Sequence, residues 1–335
     1  MKTMEKINVT CIEQLVHGVA RIEECEGTIS FHRFTKEQQE LYQSVSNDFY
    51  MKSFSTSGVS LEFDTDSEKL GLSVEISKGS SRTFFTHSIF VNGERIGELS
   101  GEIEDAIGNT QFCKEFRLGI GMKRVRILFP WSVASKLVAL ELEKGAIMKP
   151  VTKECTMIMF GDSITQGYDA MLPEHAYAVQ IADFMNADVR NKGIGGEQFR
   201  AELSLLTDGI KPDVITVAYG TNDWAHSTKE VFERLCKEFY HNLRATYPET
   251  KIIALTPIWR TDICENKEFG ASLCYVAEYI KKVAEDIPNM TVIDCMDYVP
   301  HSPQYYQTDG VHPIDVGFQS YGKSLCKKIR EHITV

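Results

Sequence analysis

Positive charge is scarce in this sequence. Its 335 residues carry 36 Lys and Arg against 47 Asp and Glu, a formal net charge of −11, and no basic cluster interrupts the acidic balance. Nucleic acids and anionic membrane surfaces are bound by clustered Lys and Arg, so neither is expected as a partner. No apolar run is long enough to span a bilayer. The opening stretch, MKTMEKINVTCIEQLVHGVARIEE, lacks the uninterrupted apolar segment and small-residue cleavage site of a secretory signal. Any Cys-x-x-Cys is missing too. The nine cysteines are odd in number and scattered, which argues against a thiolate metal site and against a disulfide framework. Free thiols suit a reducing compartment, so a cytoplasmic location is expected. Low-complexity tracts and internal repeats are absent as well. What remains is a globular composition, 43% hydrophobic and 25% charged, in a chain long enough for two domains.

The periodicity of the chain changes near Lys149-Pro150. Before it, short segments alternate apolar and polar residues, as in Val59-Ser60-Leu61-Glu62-Phe63, Leu70-Gly71-Leu72-Ser73-Val74-Glu75-Ile76 and Val125-Arg126-Ile127-Leu128-Phe129. Period two with regularly spaced turn residues predicts an antiparallel β-sandwich over residues 1–150. Asn92-Gly93, between Ile89-Phe90-Val91 and Arg95-Ile96, predicts a two-residue hairpin. After Pro150, strands and helices alternate. Met157–Phe160, Asp188–Asn191, Asp213–Tyr219, Lys251–Leu255 and Met290–Asp294 read as strands. Ala176–Met185, Lys229–Thr246, Leu273–Ile287 and Val316–His332 read as amphipathic helices. Such alternation predicts an α/β domain over 151–335, with a doubly wound parallel sheet that binds ligands beyond the carboxyl ends of its strands.

Four short motifs fall at that edge. They are Gly161-Asp162-Ser163, Asn191-Lys192-Gly193-Ile194-Gly195-Gly196, Gly220-Thr221-Asn222-Asp223 and Asp309-Gly310-Val311-His312. Singly, each is a common turn composition. Together they supply the parts of an acyl-transfer site. Ser163 is a nucleophile that needs a base, His312 is a base, and Asp309 can hold the second ring nitrogen. The backbone N–H groups of Ser163 and Gly196 and the side-chain amide of Asn222 are candidate donors to an oxyanion. Gly193 and Gly195 compete with Gly196 for that role. Asp162, beside the serine, suits bracing the loop better than acting as a base.

These blocks resemble those of the GDSL esterases, or SGNH hydrolases, with Ile164 standing where many members have Leu. The resemblance covers the chain from about Thr152 onward. It implies a flavodoxin-like SGNH hydrolase fold, a serine esterase mechanism through Ser163, His312 and Asp309, and no metal or organic cofactor. In the first half, His32-Arg33-Phe34-Thr35 and the stretch Ser57–Ser67 resemble the jelly-roll domain that precedes the catalytic domain in some bacterial members. Several of those resemble carbohydrate esterases that remove acetyl groups from sugars.

Aromatic and basic residues near the same edge are candidates for substrate contact: Tyr168, Trp224, Trp259 and Arg260. Sugar rings present apolar faces to aromatics, and an arginine can hold a hydroxyl or carboxylate. His175, His226 and His301 lie near this edge and read as solvated loop residues. The expected substrate is a small-molecule or oligosaccharide ester, most simply an O-acetyl ester. Two other readings stand beside it. One is a thioesterase or lysophospholipase using the same triad, although the motif loops are polar rather than apolar. The other is a glycan-binding protein with a vestigial hydrolase half, against which stands the presence of all four motifs.

Overall fold

The computed structural model describes residues 3–104, 110–263 and 268–332. They form two compact units. The first comprises Met1–Thr35, Tyr42–Lys153 and Leu172–Glu174; the second comprises Lys36–Leu41, Glu154–Met171 and His175–Val335. The division is therefore more interleaved than a single cut at Pro150.

The first unit is a β-sandwich of two six-stranded sheets. One runs in the order Arg21–Cys25, Thr28–His32, Val133–Glu143, Lys69–Lys78, Thr110–Arg117, with Met4–Lys6 also paired to Val133–Glu143. The other runs Met148–Pro150, Ser60–Thr65, Lys123–Leu128, Phe84–Val91, Glu94–Glu102, with Val16–His17 paired to Ser60–Thr65. All of these pairings are antiparallel. The alternation legible in the sequence is the cause. Along Lys69–Lys78 every second residue is buried, and Leu70, Leu72, Val74 and Ile76 join Leu61, Phe63, Phe85, Val125 and Ile127 in one core between the sheets.

Asn92 and Gly93 both take positive φ, 52° and 85°, and close the predicted hairpin. A second hairpin of this kind turns at Glu26-Gly27, with φ of 50° and 77°. Glutamate carries no turn signal, so this hairpin was not legible in the sequence.

In the second unit the parallel strands are β1 (Cys155–Gly161), β2 (Ala187–Gly193), β3 (Val214–Ala218), β4 (Lys251–Leu255) and β5 (Met290–Ile293). Their order across the sheet is β2-β1-β3-β4-β5, with every pairing parallel. The chain reverses direction at β1, which makes the ends of β1 and β3 the switch point where doubly wound sheets hold ligands. The helices are α1 (Ser163–Gln166), α2 (Tyr177–Met185), α3 (Thr221–His226), α4 (Lys229–Thr246), α5 (Leu273–Glu285) and α6 (Asp315–His332). The apolar stripe of α4, formed by Phe232, Cys236, Phe239, Tyr240 and Leu243, is buried, as spacings of three and four require.

Residues 36–41 belong to this unit through a buried polar knot. The Gln38 amide donates to Asp208 Oδ1 at 2.8 Å, and its oxygen accepts from Lys192 Nζ at 2.9 Å. Lys192 also pairs with Asp208 at 2.7 Å, and Arg190 with Asp208 at 3.1 Å. Burial alone would disfavour the Asp208 carboxylate, but these cations outweigh it and hold its pKa below the usual range.

Candidate active site

The serine turn is built by local rules. Met157 to Phe160 are buried on both faces of β1, as expected of a central parallel strand. Asp162 then caps α1: it is extended, and its Oδ1 accepts the Ile164 N–H at 2.9 Å. Gly167 ends the helix in the left-handed region, at φ 101°. Gly161 admits no side chain, because a Cβ there would lie 2.0 Å from Thr165 Oγ1. The turn presents Ser163 at the first position of α1, where a backbone N–H has no partner within the helix. Burial pushes the Asp162 carboxyl up to about 6, against the opposing hydrogen bond from Ile164 and the charges of His312 and Arg260. Asp162 is thus a bracing group, as its position suggested.

His312 arrives from the loop before α6. Its Nε2 lies 2.7 Å from Ser163 Oγ, and its Nδ1 lies 2.6 Å from Asp309 Oδ2. The other oxygen of Asp309 accepts the N–H groups of Val311 at 2.8 Å and His312 at 3.0 Å. Burial works against ionisation of Asp309, but the hydrogen bonds from the His312 ring and these two amides prevail and push its pKa down. An ionised Asp309 fixes the proton on Nδ1 and leaves Nε2 as the acceptor for the serine hydroxyl. Gly310 sits at φ 69°, and a Cβ there would lie 1.7 Å from Thr261 Oγ1. The loop therefore needs glycine between the acid and the histidine.

The three competing glycines are separated by their hydrogen bonds. Gly193 N–H donates to Asn191 Oδ1 at 2.8 Å, and Gly195 N–H donates to Gln166 Oε1 at 2.9 Å. Gly196, exposed at φ 89°, has no bonded N–H among the described residues. Asn191 also donates to the Thr165 carbonyl at 2.7 Å, tying the second motif to the serine turn. Asn222, in α3, spends one amide hydrogen on the Glu197 carbonyl at 3.0 Å, which leaves a second N–H.

The residues expected to touch substrate are placed differently. Trp224 is not on a loop. It is buried in α3, and its indole N–H donates to the Ala271 carbonyl at 2.9 Å. Arg260 is 6% exposed, bonded through Nε and Nη2 to Asp262 and through Nη1 to the Thr221 carbonyl, and lies over the Trp224 ring at 5.1 Å. Both are framework residues, because the short helix after β3 turns the indole inward and the guanidinium is already partnered. Tyr168 is likewise buried, with its ring stacked on that of His312 at 5.5 Å. Trp259 alone of the four is half-buried, stacked on His301 at 5.2 Å. His175 pairs with Asp315 at 2.9 Å, and His226 lies in the last turn of α3.

Sequence reasoning missed Gln166 and Asp169. Gln166 lies three residues past Ser163, and Asp169 two residues past Gly167, but neither offers a distinguishing residue type. Asp169 Oδ2 lies 3.8 Å from His312 Nδ1. With Asp309 and His312 it makes a grouping of potential metal ligands within 4.8 Å. Both ring nitrogens are already engaged, by Asp309 and Ser163, so the chemistry of this set is acid–base rather than metal ligation.

A serine, a histidine and an aspartate in one hydrogen-bonded line at the edge of a β2-β1-β3-β4-β5 parallel sheet define the class of SGNH-fold hydrolases. Residues 159–319 match the GDSL-like lipase/acylhydrolase family. No curated protein matches the sequence. Among solved structures, the chain is similar to the salicylyl-acyltransferase SsfX3 from a tetracycline biosynthetic pathway, at 19% identity and TM-score 0.82, over 98% of this chain and 97% of that one. It is also similar to a family two carbohydrate esterase from Cellvibrio japonicus, at 16% identity and TM-score 0.68, over 99% of each chain. An acetyl xylan esterase from the rumen bacterium Butyrivibrio proteoclasticus aligns at 15% identity and TM-score 0.65, over 99% of this chain and 98% of that one. At such identities the likeness is one of fold. No helix among the described residues is long and apolar enough to cross a membrane.

Proposed function

We propose that the protein is a serine esterase that removes acyl groups, most simply acetyl, from a small polar carbohydrate ester. The observation that carries the reading is the line from Asp309 through His312 to Ser163, with contacts of 2.6 and 2.7 Å. In this mechanism Ser163 Oγ forms a bond to the ester carbonyl carbon as its proton passes to His312 Nε2. The negative charge on the carbonyl oxygen meets the N–H groups of Ser163 and Gly196 and the free N–H of Asn222. Collapse breaks the bond to the alcohol oxygen, which takes the proton from Nε2. Water then repeats the sequence on the acyl-enzyme, releasing the acid and regenerating Ser163.

The carbohydrate part is supported by the half-buried Trp259 near the triad loop, and by fold neighbours described as a family two carbohydrate esterase and an acetyl xylan esterase. The cysteines described are all free, which supports a cytoplasmic location. The reading includes no nucleic-acid or membrane partner.

The test is acetate release from a panel of acetylated mono- and oligosaccharides, beside chromogenic esters of increasing acyl length. Turnover of acetyl esters that falls with chain length is expected. Preference for long chains would favour the lysophospholipase reading, and no turnover of any ester would favour a vestigial site. Ser163→Ala should stay folded and lose several orders of magnitude in kcat. A serine-directed phosphonate should label the wild type once, at Ser163.

A further inference from the structure

A second carboxylate faces the histidine. Asp169 and Asp309 approach Nδ1 from different segments, and their side chains differ in exposure, 7% for Asp169 against 40% for Asp309. Asp309 holds Nδ1 at 2.6 Å, while Asp169 Oδ2 stands at 3.8 Å. The ligand oxygens of the two acids lie within 4.8 Å of each other, a spacing at which two carboxylates repel. Asp169 also takes φ 69°, a conformation costly for a residue with a Cβ. Positive charge forming on the ring between the two acids relieves the repulsion. That charge appears when His312 accepts the serine proton. Also around the ring, among the described residues, are Ser163 on Nε2, the Tyr168 ring on its face, and Asp162, which senses the His312 charge and is itself balanced by Arg260.

We propose that Asp169 is a second positioning carboxylate for His312. It adds its field to that of Asp309 as the imidazolium forms, and it accepts the Nδ1–H hydrogen bond when the more exposed Asp309 turns to solvent. This rests on the esterase reading above, through which its effect on rate is measured.

The experiment uses the full chain and a chromogenic acetate ester. Asp169→Asn preserves shape but removes the charge and replaces one acceptor oxygen with a donor. It should leave the melting temperature near that of wild type and lower kcat about ten-fold with KM unchanged. The acid limb of kcat/KM should move to lower pH by about one unit, the order expected for loss of an opposite charge at this distance. A purely structural role leaves that limb where it was, and an unmoved limb overturns the proposal. In an Asp309→Ala background, Asp169→Asn should cost about a hundred-fold or more, because it then removes the remaining partner of Nδ1. Equal factors in both backgrounds overturn the take-over.

Should Asp169→Asn fail to fold, Asp309→Ala alone answers the question. Its His312 Nδ1 proton, followed by proton–nitrogen NMR, should stay in the downfield, hydrogen-bonded range, and its loss overturns the proposal. Ser163→Ala separates the two readings. Full turnover in that variant removes the esterase reading, while the NMR signal still reports the Asp169–His312 pairing. An inactive Ser163→Ala combined with an unmoved acid limb in Asp169→Asn removes only the role of Asp169.

Discussion

Asn222 is where positioning and chemistry are hardest to separate, because one of its amide hydrogens is spent on the Glu197 carbonyl. If the other meets the oxyanion, Asn222→Ala should lower kcat by roughly a hundred- to a thousand-fold with KM little changed, since that bond strengthens only in the transition state. Steady-state kinetics beside thermal melting decides it: activity and stability lost in parallel would leave Asn222 as a turn former. The His312–Asp309 pair makes its own prediction. Protonation of Nε2 removes the acceptor for the serine proton, so kcat/KM should fall on the acid side with a slope of one. Asp309→Asn should keep the fold yet lose much of the rate, because it no longer fixes the tautomer or stabilises the imidazolium. Wild-type activity in His312→Ala would refute the assignment. The pair's stabilising effect has the matching sign. The folded-state pKa of Asp309 is depressed, so its contribution is present above the ordinary carboxylate range and is lost as pH falls through the lower, folded value.

The short helix α3 carries a cost of its own. Asp223 is buried. Its Oδ1 accepts the Phe199 N–H at 3.1 Å, while Oδ2 has no hydrogen-bond partner among the described residues. Burial, aided by Glu197 and Asp162, pushes its carboxyl up to about 7 against the opposing amide hydrogen bonds. A raised acid pKa in the folded state means that the unfolded chain releases the proton first. The contribution of Asp223 to stability should therefore decline as pH rises from the ordinary carboxylate range to about 7. Asp223→Asn keeps the acceptor for Phe199 and removes the titration. Its stability relative to wild type should improve between pH 4 and pH 8 by something on the order of 4 kcal/mol. Chemical denaturation at the two pH values measures the difference, and a pH-independent difference would show that Asp223 ionises freely. The same helix explains why Trp224 misled sequence reasoning. Gly220-Thr221-Asn222-Asp223 is made of turn formers, and nothing in it announces the helical turns that carry the indole into the core.

For the chain as a whole, the decisive region is the one that leaves the sandwich sequence to join the hydrolase unit. Gln38 satisfies both Lys192 and Asp208, two fully buried side chains. A chain beginning near Pro150 contains every proposed catalytic residue but lacks Gln38, and unpaired buried polar groups cost about 1–3 kcal/mol each. Such a truncation should be markedly less stable than the hydrolase unit in the full chain, and Gln38→Ala in the full chain should reproduce part of the loss. A soluble truncation that melts like the intact protein would remove this role for residues 36–41. A folded truncation without activity on a small activated acetate would show that residues before Pro150 help build the site.

Period two before Pro150 and strand–helix alternation after it determined the two architectures, because side-chain periodicity is a local property of strand and helix geometry. The four motifs were legible for the same reason: strand ends, caps and tight turns restrict residue type within a few positions. Which glycine keeps a free N–H was decided only in three dimensions, when Asn191 and Gln166 consumed the alternatives. Tertiary structure alone also buried Trp224 and Arg260, joined Gln38 to Lys192 and Asp208, and set Asp169 beside His312. These are meetings of side chains distant in sequence or hidden by an unsignalled helix. Packing specifies them, and periodicity carries no trace of it.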